Sequence, residues 1–222
     1  MHMNKQAEHI ELVKQQGVLP LFYHDEMEVS IGVIHALYRA GIRAIEYTNR
    51  GAQALDNFKK LIEIRNNEWP GLLLGIGTIK TAEQASLFVE AGADYIISPG
   101  LSLAVADVAH KAGLAWIPGC VTPTEIMTAE QNNAMLVKLF PGTLLGPSYV
   151  SAVKEVFPGL LFMPTGGVEV NEESMRAWFE AGVCAVGLGS KVVSKSLMEK
   201  KDYAAIEVLA KQALTIVEKV RM

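Results

Sequence analysis

The sequence has few cysteines, no basic run and no long hydrophobic run. Cys120 and Cys184 are the only cysteines among 222 residues, which excludes the disulfide framework of small secreted proteins and suits a reducing compartment. Its 20 lysines and arginines are scattered and outnumbered by 24 acidic residues, which argues against a nucleic-acid-binding surface. No apolar stretch approaches the roughly 18 residues that a membrane span needs. We therefore expect a cytoplasmic protein that binds neither nucleic acid nor membranes.

The histidines are too dispersed to suggest a metal site. No two of the five have the spacing of a metal-binding motif such as H-E-x-x-H. His24 is the one that falls at the end of a predicted strand, so it is the only histidine with a chance of lying near a functional site. We expect no metal and no other cofactor.

A short pattern that ends in Ala-Gly occurs four times and marks junctions between helices and strands. Each copy closes a helix-like stretch and precedes an apolar run, and a glycine just past a helix can take the left-handed conformation that caps the last turn. The glycines are separated by whole multiples of a unit of about 21 to 26 residues, which is typical of repeated strand–helix units. The copies are Arg39-Ala40-Gly41, Glu90-Ala91-Gly92, Lys111-Ala112-Gly113 and Glu180-Ala181-Gly182.

Strands that alternate with helices indicate a parallel sheet. Thr81 with Gln84, and Thr122 with Glu125, predict capping boxes at two helix starts. We predict one domain over residues 1–222, with an N-terminal helix at 1–16 and a (β/α)8 TIM barrel at 17–222; an open doubly wound sheet is the alternative. The eight predicted strands lie near 18–24, 44–49, 72–78, 95–98, 115–119, 135–140, 160–165 and 183–188.

Two charged residues interrupt apolar strands. Lys138 lies in Met135-Leu136-Val137-Lys138-Leu139-Phe140, and Glu46 lies in Ala44-Ile45-Glu46-Tyr47. A charge in a strand that is covered on both faces is costly unless it is paired or used. The two occupy the sixth and second predicted strands, and alternate strands of a barrel contribute to the same interior layer. We therefore predict that Lys138 and Glu46 meet, as a catalytic pair or, alternatively, as a structural ion pair.

A lysine inside a barrel has a particular chemical use. Burial lowers the pKa of an amine, so a larger fraction is neutral near pH 7. A neutral amine can attack a ketone and form a Schiff base, and a neighbouring carboxylate can move the protons that this chemistry requires. Lys138 is therefore the candidate nucleophile, and Glu46 is the candidate acid/base.

Two glycine-rich segments follow the last two predicted strands. Thr165-Gly166-Gly167 follows the seventh, and Gly189-Ser190 lies at the end of the eighth. Barrels often bind phosphate at this place through backbone N–H groups. Each segment alone is typical of a turn, but the two together predict a phosphate site.

Two further strand-end residues are candidates for binding a carboxylate. Arg50 comes four residues after Glu46 and can clamp an anion through two hydrogen bonds, unless it is a solvated surface arginine. Thr78, at the end of the third predicted strand, can donate to the same carboxylate or can be an ordinary strand threonine.

With these residues identified, the chain resembles the 2-keto-3-deoxy-6-phosphogluconate / 4-hydroxy-2-oxoglutarate (KDPG/KHG) aldolases, which are class I, Schiff-base aldolases of the Entner–Doudoroff route. The resemblance runs from about Gly17 to Met222. The matching stretches run from Gly41 to Arg50, Gly75 to Thr78, Ile97 to Gly100, Ile117 to Gly119, Val137 to Pro141 and Pro164 to Gly167.

The resemblance implies a role for each candidate. Lys138 would form the Schiff base, Glu46 would be the acid/base, and Arg50 and Thr78 would hold the substrate carboxylate. The phosphate of the keto acid would be bound by Thr165, Gly166, Gly167, Gly189 and Ser190. The resemblance further implies that pyruvate is a product, that no cofactor is needed, and that the chain forms a homotrimer.

The sequence also departs from the family pattern. Tyr47, Asn49, Leu139 and Gly142 stand where family members often have Val, Leu, Phe and Ala, which leaves the sugar preference open. Leu145-Gly146-Pro147 resembles the related 2-keto-3-deoxy-6-phosphogalactonate aldolases, which tend to lack the counterparts of Thr165 and Arg50.

Two other classes of protein remain as alternatives. A phosphosugar isomerase on a similar barrel would use two acid/base groups, such as Asp25 and Cys120, and would form no covalent adduct. The second alternative is a non-catalytic protein that binds a phosphorylated metabolite.

Overall fold

The computed structural model describes residues 5–221. Residues 1–4, which include His2 and the first part of the predicted N-terminal helix, lie outside this range, as does Met222. The helices are α1 Lys5–Gln16, α2 Met27–Arg39, α3 Ala54–Glu68, α4 Ala82–Glu90, α5 Leu103–Lys111, α6 Pro123–Gln131, α7 Gly142–Val156, α8 Glu172–Glu180, α9 Lys195–Glu199 and α10 Tyr203–Arg221.

The strands are short and parallel. They form two hydrogen-bonded groups within the curled parallel sheet of an α/β fold. One sheet has the order β5-β4-β3-β2-β1-β9 and the other β6-β7-β8. A bridge between Thr165 and Gly187 joins the residue after β8 to β9. The strands are β1 Val18–Phe22, β2 Ala44–Thr48, β3 Leu73–Gly77, β4 Tyr95–Ile97, β5 Ala115–Ile117, β6 Gly119–Cys120, β7 Leu136–Leu139, β8 Leu161–Pro164 and β9 Val186–Leu188.

The eight predicted strands are present, but two predicted boundaries were wrong. The fifth is divided at Pro118, which has no N–H to donate; β5 pairs with β4 and β6 pairs with β7. The eighth starts at Val186; before it, the N–H of Val183 donates to Trp178 of α8, and the N–H of Cys184 donates to Phe162 of β8.

The four Ala-Gly junctions behave as predicted. Their glycines all have positive φ, between 70° and 104°, which only glycine adopts at little cost. The capping box at Thr122 and Glu125 is complete. The predicted box at Thr81 was half wrong, because the Gln84 side chain accepts from the N–H of Lys80 rather than from that of Thr81.

The core has two parts, one on each face of the sheets. The larger part lies between the strands and the surrounding helices and includes Phe58 and Trp116. The smaller part lies on the opposite face of the strands, where Leu19 and Ile117 pack with Ile10 of α1. Helix α1 therefore contacts the residues that face away from the other helices.

Asp94 links α1 and α3 to the strands through hydrogen bonds. Its carbonyl oxygen lies 2.9 Å from His9 Nδ1 of α1. Its carboxylate accepts from Arg65 of α3 and, at 2.8 Å, from the N–H of Leu74. None of the helices within residues 5–221 has the length and hydrophobicity to cross a membrane.

Candidate active site

Lys138 and Glu46 meet, as the sequence predicts. Lys138 Nζ lies 3.2 Å from Glu46 Oε1 and 3.3 Å from Oε2. The side chains are 6% and 1% exposed, so bulk water barely reaches either group. The pair combines a potential nucleophile and a proton acceptor in a site screened from water, which is the arrangement that amine catalysis needs.

Neighbouring residues shape the space around this pair. A Cβ atom on Gly77 would lie only 1.8 Å from Glu46 Oε1, so the carboxylate occupies the place of the missing side chain. The Tyr95 hydroxyl donates to the carbonyl oxygen of Ile45 at 2.7 Å. Burial raises the pKa of Tyr95 well above its usual value, and the charge of Glu46 adds to the shift. Tyr95 is therefore a neutral neighbour of the carboxylate.

Phe140 borders the lysine and was not singled out from the sequence. Its ring centroid lies 5.5 Å from Lys138 Nζ, and 37% of the residue is exposed. A phenylalanine two residues after the candidate nucleophile is the sequence signal that was overlooked. The ring limits the approach of water to the amine on one side.

Arg50 and Thr78 follow two strands that pair with each other. Arg50 is exposed just after β2, and Thr78 is half-buried just after β3. Thr78 has a φ of 63°, a conformation that non-glycine residues rarely adopt and that is often found at functional sites. Both residues thus lie beyond the carboxyl ends of the strands, on the edge where barrel active sites are built.

The two predicted phosphate-binding segments are adjacent, because Thr165 and Gly187 form a bridge between them. Gly166, Gly167 and Ser190 are exposed. The Thr165 hydroxyl is buried and has no hydrogen-bond partner among residues 5–221. It lies where a Cβ of Gly187 would be, 2.3 Å from that position, and so faces the strands rather than solvent.

Tyr47, one of the departures from the family pattern, faces away from Glu46. Its hydroxyl donates to the carbonyl oxygen of His24 at 3.0 Å, and Asn57 of α3 donates to the same oxygen at 3.2 Å. Asn57 also donates to the carbonyl oxygen of Asp25 at 2.9 Å. Tyr47 therefore fixes the loop after β1, and its ring belongs to the core between the strands and the surrounding helices.

The acid/base pair of the isomerase alternative is poorly suited to its role. Cys120 is 1% exposed, and burial raises the pKa of its thiol to about 12. Asp25 accepts a hydrogen bond from the Tyr23 hydroxyl. Across the described part of the chain, no three His, Cys, Asp or Glu residues are grouped so that they could hold a metal ion.

A separate cleft of about 830 Å³ lies at the other end of the strands. Gln16 lines this cleft, and its side-chain amide forms hydrogen bonds with the backbone of Val18, Arg43 and Ala44. Arg43 donates to the carbonyl oxygens of Tyr38 and Ile42. The side chains of Gln16 and Arg43 are thus occupied in holding the fold together.

Comparisons with known proteins find relatives that are aldolases. The chain is 31% identical over 208 residues to the 2-dehydro-3-deoxy-phosphogluconate aldolase of Treponema pallidum, covering 93% of this chain and 96% of that protein. It is 30% identical over 176 residues to the 2-dehydro-3-deoxy-6-phosphogalactonate aldolase of Escherichia coli, covering 79% and 80%.

A solved structure and a family model point the same way. The KDPG aldolase of Legionella pneumophila, with pyruvate captured as a covalent carbinolamine intermediate, superposes with a TM-score of 0.82 at 27% identity, over 90% of this chain and 95% of that one. The family model for KDPG and KHG aldolase matches residues 10–209. The chain therefore belongs to the KDPG and KHG aldolase family.

Proposed function

We propose that this protein is a class I aldolase that cleaves 2-keto-3-deoxy-6-phosphogluconate into pyruvate and glyceraldehyde 3-phosphate, with Lys138 as the Schiff-base lysine. The observation that carries the proposal is the buried contact of 3.2 Å between Lys138 Nζ and Glu46 Oε1. Pyruvate and a phosphorylated keto acid are accordingly its small-molecule partners. Cleavage of 4-hydroxy-2-oxoglutarate to pyruvate and glyoxylate is a second reaction of the same site.

The first step uses the contact directly. Moving one proton from Lys138 Nζ to Glu46 frees the nitrogen lone pair, which attacks C2 of the substrate. Glu46 returns that proton to the carbinolamine hydroxyl, which leaves as water, so that a protonated imine forms and Glu46 is a carboxylate again. Because the imine nitrogen is positively charged, it can accept an electron pair from the adjacent bond.

The second step breaks the carbon–carbon bond. The Glu46 carboxylate, directly or through a water, removes the proton of the C4 hydroxyl, and C4 becomes an aldehyde. The electron pair of the C3–C4 bond forms a C2–C3 double bond, which gives an enamine. The protonated Glu46 returns its proton to C3, and hydrolysis of the imine releases pyruvate and Lys138. The imine acts as the electron sink, so no step requires a cofactor.

The strand-end residues would bind the two charged ends of the substrate. Arg50 and Thr78 follow β2 and β3 and would hold the carboxylate next to the reacting ketone. Gly166, Gly167, Gly189 and Ser190 would bind the phosphate, with Thr165 at the inner edge of that site. The support is the adjacency of the two segments, which are joined by the bridge between Thr165 and Gly187.

Two alternatives are less well supported. The galactonate epimer is the substrate of a related enzyme, but this chain carries both Thr165 and Arg50, which favours the gluconate acid. A phosphosugar isomerase would need Cys120 as a base, and a thiol with a pKa of about 12 is mostly protonated near neutral pH.

The proposal also covers the closure of the barrel, the oligomeric state and the location of the protein. The two sheets would close into one (β/α)8 barrel, because β5 and β6 are separated only by Pro118 and the Thr165–Gly187 bridge joins the other edges. We propose a single domain over residues 1–222, a homotrimer, a cytoplasmic location and a role in the Entner–Doudoroff route. Light scattering in solution would test the trimer.

One assay tests the proposed function. Purified protein is mixed separately with the phosphorylated gluconate acid, its galactonate epimer and unphosphorylated 2-keto-3-deoxygluconate, and pyruvate release is followed. Fast release from the phosphorylated gluconate acid supports the proposal. If none of the acids yields pyruvate, the aldolase assignment fails.

A further inference from the structure

The Tyr23 side chain lies against the loop that carries Arg50. A Cβ on Gly51 would lie 2.1 Å from the Tyr23 hydroxyl oxygen and 2.5 Å from the ring carbon that bears it, so the hydroxyl occupies the space that Gly51 leaves open. Gly51 comes directly after Arg50, and its carbonyl oxygen accepts from the N–H of Ala54 at the start of α3. Tyr23 therefore borders the short loop, residues 49–53, between β2 and α3.

Two neighbours fix the direction of the Tyr23 side chain. Its hydroxyl donates to the Asp25 carboxylate, and its ring centroid lies 5.6 Å from that of the buried Tyr47. Burial raises the pKa of Tyr23, and the carboxylate of Asp25 adds to the shift, so the hydroxyl keeps its proton at neutral pH. The phenol therefore stays a hydrogen-bond donor and stays in place against the loop.

The loop after β1 and the start of α3 hold each other. Asn57 of α3 donates to the carbonyl oxygens of His24 and Asp25. The Tyr47 hydroxyl donates to the same oxygen of His24. Tyr23 makes the return contact, from the loop after β1 to the residues that precede α3. The backbone on both sides of this contact is therefore anchored independently of the Tyr23 hydroxyl.

We propose that Tyr23 is a positioning residue that holds the backbone at Gly51 so that Arg50 meets the substrate carboxylate. This inference rests on the proposed function, which gives Arg50 that role. Arg50 is exposed and has no ion-pair partner among residues 5–221, so its placement depends on its own backbone. A backbone that is already fixed lowers the entropy lost when the guanidinium binds an anion, which raises affinity more than it raises the rate of the chemical step.

The first test is Tyr23→Phe, with Tyr38→Phe as the matched control. Borohydride trapping on Lys138 is measured against the concentration of pyruvate and, separately, of acetone, which offers the same ketone without a carboxylate. Loss of one hydrogen bond corresponds to a factor of about two to ten, so the half-saturating pyruvate concentration should rise by that factor while trapping of acetone stays unchanged. In the cleavage reaction, KM should rise and kcat should stay close to wild type.

The control removes the same atom at the other end of the strands. The Tyr38 hydroxyl donates to the carbonyl oxygen of Pro70, which precedes β3. Tyr38→Phe should therefore leave both the pyruvate and the acetone measurements unchanged.

A second variant approaches the same contact from the loop. Gly51→Ala places a methyl group where the Tyr23 hydroxyl lies, whereas Gly159→Ala, its control, meets nothing within 4 Å. Gly51→Ala should weaken pyruvate trapping and spare acetone trapping, as Tyr23→Phe does. If Tyr23→Phe fails to fold and so traps neither ketone, the result with Gly51→Ala decides.

A double variant tests whether Tyr23 acts through Arg50. In an Arg50→Gln background the contact that Tyr23 positions is already lost, so Tyr23→Phe should cause no further weakening of pyruvate. An equal loss of pyruvate and acetone trapping in Tyr23→Phe, or a full extra loss in the Arg50→Gln background, would overturn the proposal.

The outcomes separate this inference from the proposed function. If Arg50→Gln weakens pyruvate binding and Tyr23→Phe does not, the proposed role of Arg50 stands and only the positioning role of Tyr23 fails. If Arg50→Gln leaves pyruvate binding unchanged, the role of Arg50 fails and the role of Tyr23 fails with it.

Discussion

Lys138 and Glu46 are 92 residues apart in the sequence, yet Lys138 Nζ lies within 3.2–3.3 Å of both carboxylate oxygens of Glu46. The near-equal distances place the amine between the two oxygens, so either can exchange a proton with it. Replacing one partner leaves the other buried without its counter-charge, which makes the two positions chemically interdependent.

Lys138 should carry a covalent adduct. Borohydride reduction in the presence of pyruvate should attach three carbons of pyruvate to Lys138, detected by peptide mass spectrometry. Lys138→Arg should abolish both the adduct and the aldolase activity, because a guanidinium stays protonated. An active enzyme whose Lys138 peptide remains unmodified would contradict the Schiff-base role.

Glu46→Gln should slow the steps in which Glu46 moves a proton. The amide keeps the size of the side chain but cannot accept a proton, so we expect kcat to fall by about 10²- to 10⁴-fold. Exchange of the pyruvate methyl protons with D₂O, followed by NMR, should slow by a similar factor. Exchange at the wild-type rate would assign the base to another group.

Thr165→Val should affect catalysis without weakening the fold. The hydroxyl is buried without a partner among the described residues, so an isosteric methyl group removes an uncompensated polar atom. We expect an unchanged or higher Tm, together with a lower kcat/KM on the phosphorylated acid. A lower Tm with unchanged kinetics would mean that Thr165 has a purely structural role.

A chelator should leave the rate unchanged. The proposed mechanism uses an imine of Lys138 as its electron sink, so no step of it calls for a Lewis acid. The measurement is pyruvate release before and after incubation with EDTA and dialysis. Activity that is lost and then restored by zinc or magnesium would indicate a metal-dependent aldolase.

The two thiols should be unreactive in the folded protein. Burial raises the pKa of Cys120 and of Cys184 to about 12, so almost no thiolate exists at pH 8. Iodoacetamide should modify both only after denaturation. Because the folded-state pKa values are raised, the stabilising contribution of the neutral thiols is present below about pH 9 and is lost as the pH rises toward 12. A thermal unfolding series between pH 8 and 11 should show a falling Tm, and a double Cys→Ala variant should show less of this fall.

Features that depend on local sequence patterns could be predicted from the sequence. The Ala-Gly junctions located the starts of β2, β4 and β5, although not that of β9. A charge within an apolar run identified Lys138 and Glu46, because burying an unpaired charge is costly. The division of the fifth strand at Pro118 was harder to predict, since it depends on which neighbour each half pairs with. Contacts between distant loops were not predictable, such as Gly142 against Gly166 or the Tyr47 hydroxyl on His24.

Helix α1 packs Ile10 and Val13 against residues on the inner face of the strands, at the end away from the active site. This leaves the carboxyl ends of the strands as the way in and out for substrate and products. In the proposed mechanism pyruvate would be held covalently on Lys138, and the aldehyde would lie between it and the opening, so pyruvate could not leave first. The products should therefore depart in a fixed order, aldehyde before pyruvate, and in the direction of synthesis pyruvate should bind first.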